Sequence, residues 1–346
     1  MEIKRMDFVK NAWYVAGWSK EFDQQLHPVR ILGEDLVSFR TSTGDVTILQ
    51  DRCPHKLLPL SQGRLIDDQI ECGYHGTTFG ADGKCTHIPG QPRVPPTACV
   101  RAYPVYERHD IVWVWMGDSE KADYDAVFDL PQLADPDWEN HQGDALHIKS
   151  SYLNVAENLV DPAHVTYVHP TTLGSADHAS VPVEYETKGD PILAWRWIRN
   201  APPIPLFQQY GDFKGNVDRW QYFYLHLPST AVIDFGSADA DLQSTGDRRH
   251  EGVRMFALHF LTPVSANTTI DRWMHIRNTH VDDEETAHRL DEIFRVAFAE
   301  DKNILEAVQV EEDKSPNGAP LQLAIDQACI AYRARIKQLA EAEQSQ

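Results

Sequence analysis

Cysteine is scarce in this chain: Cys53, Cys72, Cys85, Cys99 and Cys329 are the five among 346 residues. So few thiols do not make a disulfide scaffold for a chain of this length, and an odd number leaves at least one unpaired, so metal or cluster ligation is the use to test. Cations are also in deficit, with 32 Lys plus Arg against 52 Asp plus Glu and a formal net charge of −20. No Lys/Arg cluster appears, which argues against a nucleic-acid partner because phosphate contacts come from clustered cations. A long apolar run is missing too. Met1-Glu2-Ile3-Lys4-Arg5-Met6-Asp7 carries charge at once, so neither a secretory signal nor a membrane span is expected, and the cytoplasm is the expected compartment. There is no internal repeat, and the only biased segment is the polar tail 341–346, expected to fray. What remains, 42% hydrophobic and 24% charged residues, is an ordinary globular composition, and the length fits two domains.

From 13 to about 115 the pattern is short apolar runs, among them Leu36-Val37-Ser38-Phe39, Val46-Thr47-Ile48-Leu49 and Ile111-Val112-Trp113-Val114-Trp115. Gly44-Asp45, Asp82-Gly83 and Pro89-Gly90 punctuate them, which reads as the hairpins of a small all-β domain, assigned to residues 1–118. The stretch 117–144 is acidic and contains Pro, and reads as a surface connection. Residues 119–346 then mix a helical pattern over about 152–168, strand-like runs at 192–198, 220–227, 231–235, 254–262 and 269–277, and helices from about Asp283 onward. That order predicts an antiparallel sheet with helices on one side, and so an α+β second domain.

Two Cys-His pairs carry the first chemical signal. Cys53-Pro54-His55 is followed after sixteen residues by Cys72-Gly73-Tyr74-His75-Gly76. Two thiolates and two imidazoles on two loops suit a [2Fe–2S] cluster of Rieske type, with both Cys on one iron and both His on the other. Neutral imidazoles in place of two thiolates raise the reduction potential, fitting delivery of single electrons to an oxidising centre. Pro54, Leu57, Leu58 and Leu60 are the expected apolar shell, Gly73 and Gly76 permit the tight turns, and Pro89-Gly90-Gln91-Pro92 is a candidate covering loop. A structural zinc site is the competing reading, although zinc fingers group two Cys and then two His, whereas each pair here is mixed. Cys85, Cys99 and Cys329 read as packed or inert thiols.

The second signal lies in the helical pattern, where Asp161 stands three residues before His164 and His169 five after it. In a helix Asp161 and His164 would share a face, and Pro162 would kink the helix because it cannot donate to the carbonyl of Asn158. A carboxylate to complete a metal site is found by periodicity. Leu290, Phe294, Ala297, Ile304 and Val308 form a stripe in the late helix, and Asp301 fills its gap. A buried carboxylate needs a cation, a metal or a hydrogen-bonded partner. His164, His169 and Asp301 then form a two-His, one-carboxylate triad for mononuclear Fe(II) with positions left open for dioxygen; pairing of Asp301 with Lys or Arg is the alternative. Glu300 and the run 283–285 read as a solvated face or a helix start.

At these motifs the chain resembles the oxygenase component of Rieske non-haem iron oxygenases over nearly its full length. Asn11-Ala12-Trp13-Tyr14-Val15-Ala16, Trp113-Val114-Trp115-Met116-Gly117-Asp118 and Tyr167-Val168-His169-Pro170-Thr171-Thr172-Leu173-Gly174 are similar to the vanillate O-demethylase and toluenesulfonate methyl-monooxygenase branch. The resemblance implies an N-terminal all-β Rieske domain, a helix-grip catalytic domain, a homotrimer, and a separate flavin- and ferredoxin-containing reductase that passes electrons from NADH. It also implies a bridging role for Asp161, linking a Rieske His of one subunit to an iron-ligating His of its neighbour, with His75 and His164 as the chosen pair, and a supporting polar role for Asn158 beside the iron.

The implied reaction is monooxygenation of a methyl group on an aromatic acid, foremost oxidative O-demethylation with release of formaldehyde. Aryl-methyl hydroxylation and ring cis-dihydroxylation use the same iron site, and a Rieske redox carrier is the reading without oxygen chemistry. For the pocket, His226 and His259 lie among apolar neighbours and are the candidates to hold a carboxylate or phenol. The competing reading is that each satisfies a core partner or faces water. Trp195, Trp197 and Trp220 are core aromatics or pocket walls, and 201–213 is a lid or a passive loop.

Overall fold

The computed structural model describes residues 8–175, 179–241, 246–316, 318 and 320–345. The charged start, Met1 to Asp7, and the last residue of the polar tail, Gln346, lie outside the described residues. Contacts divide the chain into two units, one of residues 8–127 with Thr262–Ala266, the other of Phe128–Leu261 with the residues from Asn267 onward.

In the first unit the turn residues cut the chain into ten short strands. They are β1 (Trp13–Trp18), β2 (His27–Ile31), β3 (Glu34–Arg40), β4 (Val46–Gln50), β5 (Arg64–Ile66), β6 (Gln69–Glu71), β7 (Thr78–Phe79), β8 (Cys85–His87), β9 (Val105–Arg108) and β10 (Ile111–Trp115). They build three small antiparallel sheets, ordered β1-β10-β9, β2-β3-β4 and β5-β6-β7-β8. Val37, Phe39, Leu49, Leu60, Ile70 and Phe79 form a core that takes in Cys53 and Cys72. The unit extends nine residues past the expected boundary at 118, because Trp13 Nε1 donates to Asp123 O at 2.7 Å and its ring packs on Tyr124 at 5.2 Å.

Among the described residues the second unit has seven strands: β11 (Glu139–Ile148), β12 (Glu184–Glu186), β13 (Ile192–Ala201), β14 (Val217–His226), β15 (Thr230–Asp239), β16 (Val253–Ser265) and β17 (Thr268–Arg277). They form one sheet in the order β11-β17-β16-β15-β14-β13-β12. Its helices are α1 (Tyr152–Leu159), α2 (Val165–Val168), α3 (Pro205–Tyr210), α4 (Glu284–Lys314) and α5 (Gln327–Gln344). Along β13 buried Ile192, Ala194, Arg196 and Ile198 alternate with half-buried Leu193, Trp195 and Trp197, so the period of two assigns each face. Phe235, Met255 and Trp273 of the sheet pack against Leu290, Phe294 and Phe298 of α4. Among the described residues no helix is long and apolar enough to cross a membrane.

Several expectations are revised here. The five strand-like runs are present and longer, but the acidic stretch expected to be a connection holds β11, which pairs along its length with β17. The helix expected over 152–168 is broken into α1 and α2 rather than kinked, since Pro162 lacks the N–H that would continue it and restricts Asp161 before it. Segment 201–213 is neither an open lid nor a passive loop: it folds into α3, with Ile204, Leu206, Phe207 and Tyr210 in the core. The tail is helical to Gln344 instead of fraying from Glu341. On α4, Ile304 and Val308 are 49% and 44% exposed, so the apolar stripe does not extend to them. The buried face instead runs through Leu290, Phe294, Phe298, Asp301, Leu305 and Gln309.

Candidate metal centre

Two loops of the first unit share one backbone form. After β4, the Cys53 N–H donates to Leu58 O at 2.9 Å and the Leu57 N–H to Cys53 O at 3.0 Å; between β6 and β7, Cys72 N–H donates to Thr77 O at 2.8 Å and Gly76 N–H to Cys72 O at 3.0 Å. The residue four past each cysteine is left-handed, Gly76 with φ 74° and Leu57 with φ 62°. Glycine adopts this freely, whereas Leu57 does so at a cost and points outward, 62% exposed, instead of joining the expected shell. Leu60 and Leu58 supply that shell. Gly73 is required for another reason, since a Cβ there would stand 2.8 Å from Gln62 O. Pro89 closes over Gly76, whose added Cβ would lie 3.0 Å from Pro89 Cγ.

Both thiols are buried, 2% exposed, while His55 and His75 are exposed with ring centroids 4.6 Å apart. Thiols inside and imidazoles outside is the division a Rieske cluster needs. Burial pushes the Cys53 thiol up and the adjacent Cys72 adds to the rise, so ionising the pair calls for a bound cation. Among the described residues these donors do not converge on a single point, as one tetrahedral zinc ion would require. Cys85 and Cys329 donate to the carbonyls of His87 and Glu157, and all five cysteines are free.

In the second unit, the break at Pro162 places the other three donors. His164 stands at the N-terminus of α2 and His169 at its C-terminus, so a five-residue spacing becomes two rings flanking one short helix, 5.4 Å apart. His164 Nδ1–H donates to the main-chain carbonyl of Asp161 at 2.5 Å, and His169 Nδ1–H to Glu300 Oε2 at 2.8 Å. With both Nδ1 atoms committed, both Nε2 atoms turn to Asp301: His169 Nε2 lies 3.2 Å from Oδ2 and His164 Nε2 3.6 Å from Oδ1. Asn158 Nδ2–H donates to Asp301 Oδ1 at 3.0 Å. Among the described residues, these three side chains are the one set whose ligand atoms all fall within 4.8 Å of one another, and no Lys or Arg pairs with Asp301. The donor set fits an Fe(II) facial triad.

The charges agree with that reading. Burial alone would push the Asp301 carboxyl up, but His169, His164 and Asn158 outweigh it and hold it below the usual carboxylate range. For His169 burial acts downward, yet Asp301 and Glu300 keep its imidazole above the ordinary value; His164 is pushed down by burial, which outweighs Asp301 and Asp161. Glu300 is the group missed in the sequence, where it read as solvated: its side chain is 31% exposed and still fixes the tautomer of His169. Its position beside the buried Asp301 was the available signal. Asp161 also departs from expectation, because its main-chain oxygen, not its carboxylate, takes the His164 proton, while Oδ1 accepts from Ala163 N at 2.7 Å.

The triad borders a cavity whose other walls include Leu159, Phe207, Phe223, Ile233, Phe294 and Phe298. His259 lines it, Nδ1 lying 2.8 Å from Asp271 Oδ2 and Nε2 buried without a hydrogen-bond partner. His226 is not among the lining residues. On β14 it alternates out of phase with Arg219, Gln221 and Phe223, which face the cavity, and packs edge-on against Phe128 at 5.1 Å. Trp195 and Trp197 stand on the opposite face with Tyr222, whereas Trp220, which donates to Asp234, is a wall of the cavity.

An all-β domain with a buried Cys pair beneath exposed imidazoles, followed by a sheet-and-helix domain with a two-His, one-carboxylate cluster, defines the oxygenase component of a Rieske non-haem iron system. A model of the Rieske [2Fe–2S] domain matches residues 12–104, and one of the vanillate O-demethylase oxygenase C-terminal domain matches residues 148–342. The chain belongs to the vanillate O-demethylase oxygenase family of Rieske proteins. It is 33% identical over 341 residues to a toluene-4-sulfonate monooxygenase system iron-sulfur subunit of Comamonas testosteroni, covering 97% of this chain and 98% of the relative. To a vanillate O-demethylase oxygenase subunit of Pseudomonas sp. strain HR199 it is 33% identical over 348 residues, covering 97% and 96%. The crystal structure of dicamba monooxygenase bound to dicamba superposes with a TM-score of 0.87 at 28% identity, covering 98% of this chain and 99% of that one. The chain is thus an enzyme component that works with a Rieske cluster, a mononuclear iron and a separate reductase.

Proposed function

We propose that this oxygenase hydroxylates a methyl group of an aromatic acid, foremost the methyl of a methoxyarene. The observation that carries the reading is the convergence of His164, His169 and Asp301 at the wall of an aromatic-lined cavity. His164, His169 and Asp301 are the ligands for Fe(II), and Cys53, His55, Cys72 and His75 those for the cluster. Iron bound there, supplied with single electrons, activates dioxygen for insertion of one oxygen atom into a C–H bond. The protein's own part is positional. Glu300 and the Asp161 carbonyl hold the two imidazoles with Nε2 inward, Asn158 holds the carboxylate, and the apolar walls exclude water from the methyl group. A hydroxylated methoxy group is a hemiacetal, which collapses to a phenol and formaldehyde. His259, its Nδ1 side anchored on Asp271, leaves Nε2 as a hydrogen-bonding group in the cavity wall.

In this reading the Asp161 carboxylate accepts from His75 of a neighbouring copy, and its main chain joins it to His164, which couples the two centres across subunits of a homotrimer. Its carboxyl is pushed up by burial, which such a hydrogen-bond donor would offset. The reductase carries flavin and a ferredoxin domain, draws on NADH, and the system operates in the cytoplasm. Aryl-methyl hydroxylation is the second reading, favoured by the similarity to the toluene-4-sulfonate monooxygenase subunit.

The test is iron, acid-labile sulfide and electron paramagnetic resonance on anaerobically purified protein, wild type beside Asp301→Ala. About three irons and two sulfides per chain are expected, falling to about two irons in the variant with the Rieske signal intact. Two irons in both would leave only a redox carrier. With methoxylated acids, formaldehyde and one labelled oxygen per turnover are expected; two labelled oxygens on the ring would replace the monooxygenase with a dioxygenase.

A further inference from the structure

We infer that Arg219 anchors the anionic group of the substrate, so that the cavity selects aromatic acids over neutral aromatics and orients their methyl group toward the triad. This rests on the reading of the cavity as the substrate site.

Arg219 is 2% exposed, faces the cavity from β14, and stands among walls that are otherwise mainly aliphatic and aromatic. A guanidinium stays protonated at any working pH, so this wall carries a permanent positive charge inside an apolar space. The second buried guanidinium on this face, Arg196, is committed: Nε donates to Gln221 Oε1 at 2.7 Å and Nη2 to Pro162 O at 2.7 Å. Burial pushes Arg196 down to about 10, the Asp161 carboxylate acts against that, and the charge of Arg219 adds to the lowering. The buried guanidinium of Arg219 favours an anion in the space it borders.

Arg219 is also tied to the iron site. Its Nη1 donates to Ser175 Oγ at 3.2 Å, and the preceding Gly174 N–H closes a turn on His169 O at 2.8 Å. The same short segment therefore connects the guanidinium to a ligand of the triad. His259 marks a different region of the cavity. Arg219 pairs with Ser237 and His259 with Ala231, six residues apart on β15, which is about 20 Å along the strand. A single-ring acid does not span both, so the permanent charge decides which end takes the carboxylate or sulfonate. A carboxylate fits the planar fork of a guanidinium in bidentate fashion.

The test is calorimetric binding to the anaerobic iron-loaded holoenzyme, with 4-methoxybenzoate, 4-toluenesulfonate and the neutral isostere 4-methoxybenzamide as probes. Wild type is expected to bind each acid at least about tenfold more tightly than the amide, as a charge-assisted pair in a dry site supplies. In Arg219→Gln the ratio collapses toward one while the Kd of the amide holds, and in Arg219→Lys part of the preference remains because the charge persists without the fork. Iron content and thermal unfolding of both variants control for folding, and Arg219→Lys carries the test if the Gln variant does not fold. An unchanged preference in both variants, equal binding of acid and amide by wild type, or parallel loss of acid and amide binding in the variants would each overturn the anchor. Loss of the preference in Arg219→Gln, with no oxidation of any methyl-bearing acid by wild type, would leave the anchor standing and refute the methyl hydroxylation.

Discussion

Glu300→Gln isolates one hydrogen bond behind one iron ligand. The Glu300 carboxylate accepts from His169 Nδ1 at 2.8 Å, while the opposite nitrogen of that ring faces Asp301 at 3.2 Å. Its negative charge makes His169 more basic and fixes the tautomer that leaves Nε2 free for metal. Gln keeps the length and an acceptor oxygen but removes the charge. Loss of such an outer partner weakens metal binding by about 10- to 100-fold, equivalent to about 1.4–2.7 kcal/mol, and retention of an acceptor places Gln toward the lower figure. Glu300→Ala, with neither charge nor acceptor, belongs at the higher one. The residue is 31% exposed on its side chain, so solvent replaces part of what is removed, which caps the effect. The assay is Fe(II) competition against a calibrated chelator, with the Rieske resonance as internal control because Glu300 lies in the other unit. Affinity equal to wild type in both variants, or an effect larger in Gln than in Ala, would refute the reasoning.

Two further outcomes follow from the same geometry. Asp161→Asn should keep iron, sulfide and both spectroscopic signatures while nearly abolishing coupled turnover, since its main-chain contact to His164 survives the substitution; undiminished turnover in single-turnover and steady-state assays would remove the relay. Asp291, buried 3.0 Å from His141 Nε2 and 3.3 Å from His275 Nε2, sets part of the acid stability. Burial would raise its carboxyl, but His275 and His141 hold it below the ordinary range, and burial pushes the His275 imidazole down. A depressed carboxyl contributes stability above its unfolded pKa of about 3.9, and a depressed imidazole above about 6.5; both contributions are lost as pH falls through the folded values. Asp291→Asn should therefore lower stability at neutral pH by roughly 1–3 kcal/mol and flatten the acid limb of the unfolding midpoint against pH, whereas a parallel shift at every pH would show that the charge is not what matters.

Much of this was legible because the chemistry sits in local spacing. The two Cys-His pairs lie in turns closed by their own backbone, so residues 53–58 and 72–77 declare themselves without tertiary knowledge. The five longer strands of the second sheet were visible as apolar runs, and Asp301 as a carboxylate where the helix should be buried. What failed depended on partners distant in the chain. β11 has the composition of a loop and exists because β17 supplies its hydrogen bonds. Leu57 reads as shell and points outward because of a left-handed turn that only the backbone reveals. His226 and His259 look alike in sequence, each between apolar neighbours, and are separated by the phase of their strands, which a single residue of register decides.

The revised stripe on α4 explains why a catalytic helix can carry polar groups on its buried face. Between Leu290 and Phe298 that face meets the sheet mainly through apolar and aromatic side chains, with Asp291 paired to His141 and His275 of the sheet. Beyond it, the face meets the segment that carries α1 and α2, whose ends present polar backbone that needs partners. Gln309 Oε1 accepts the Ser151 N–H at 2.8 Å at the start of α1, and Asp301 receives Asn158 from the same helix one turn before the Pro162 break. The apolar half thus anchors α4 and the polar half is paired to the broken helix, so that the distance between Asp301 and the two histidines is set by packing on one side and by hydrogen bonds on the other. A purely apolar continuation through Ile304 and Val308 would have rotated the face and left the ends of α1 and the triad without their carboxamide and carboxylate partners. The departure from simple periodicity is therefore the structural cause of the site.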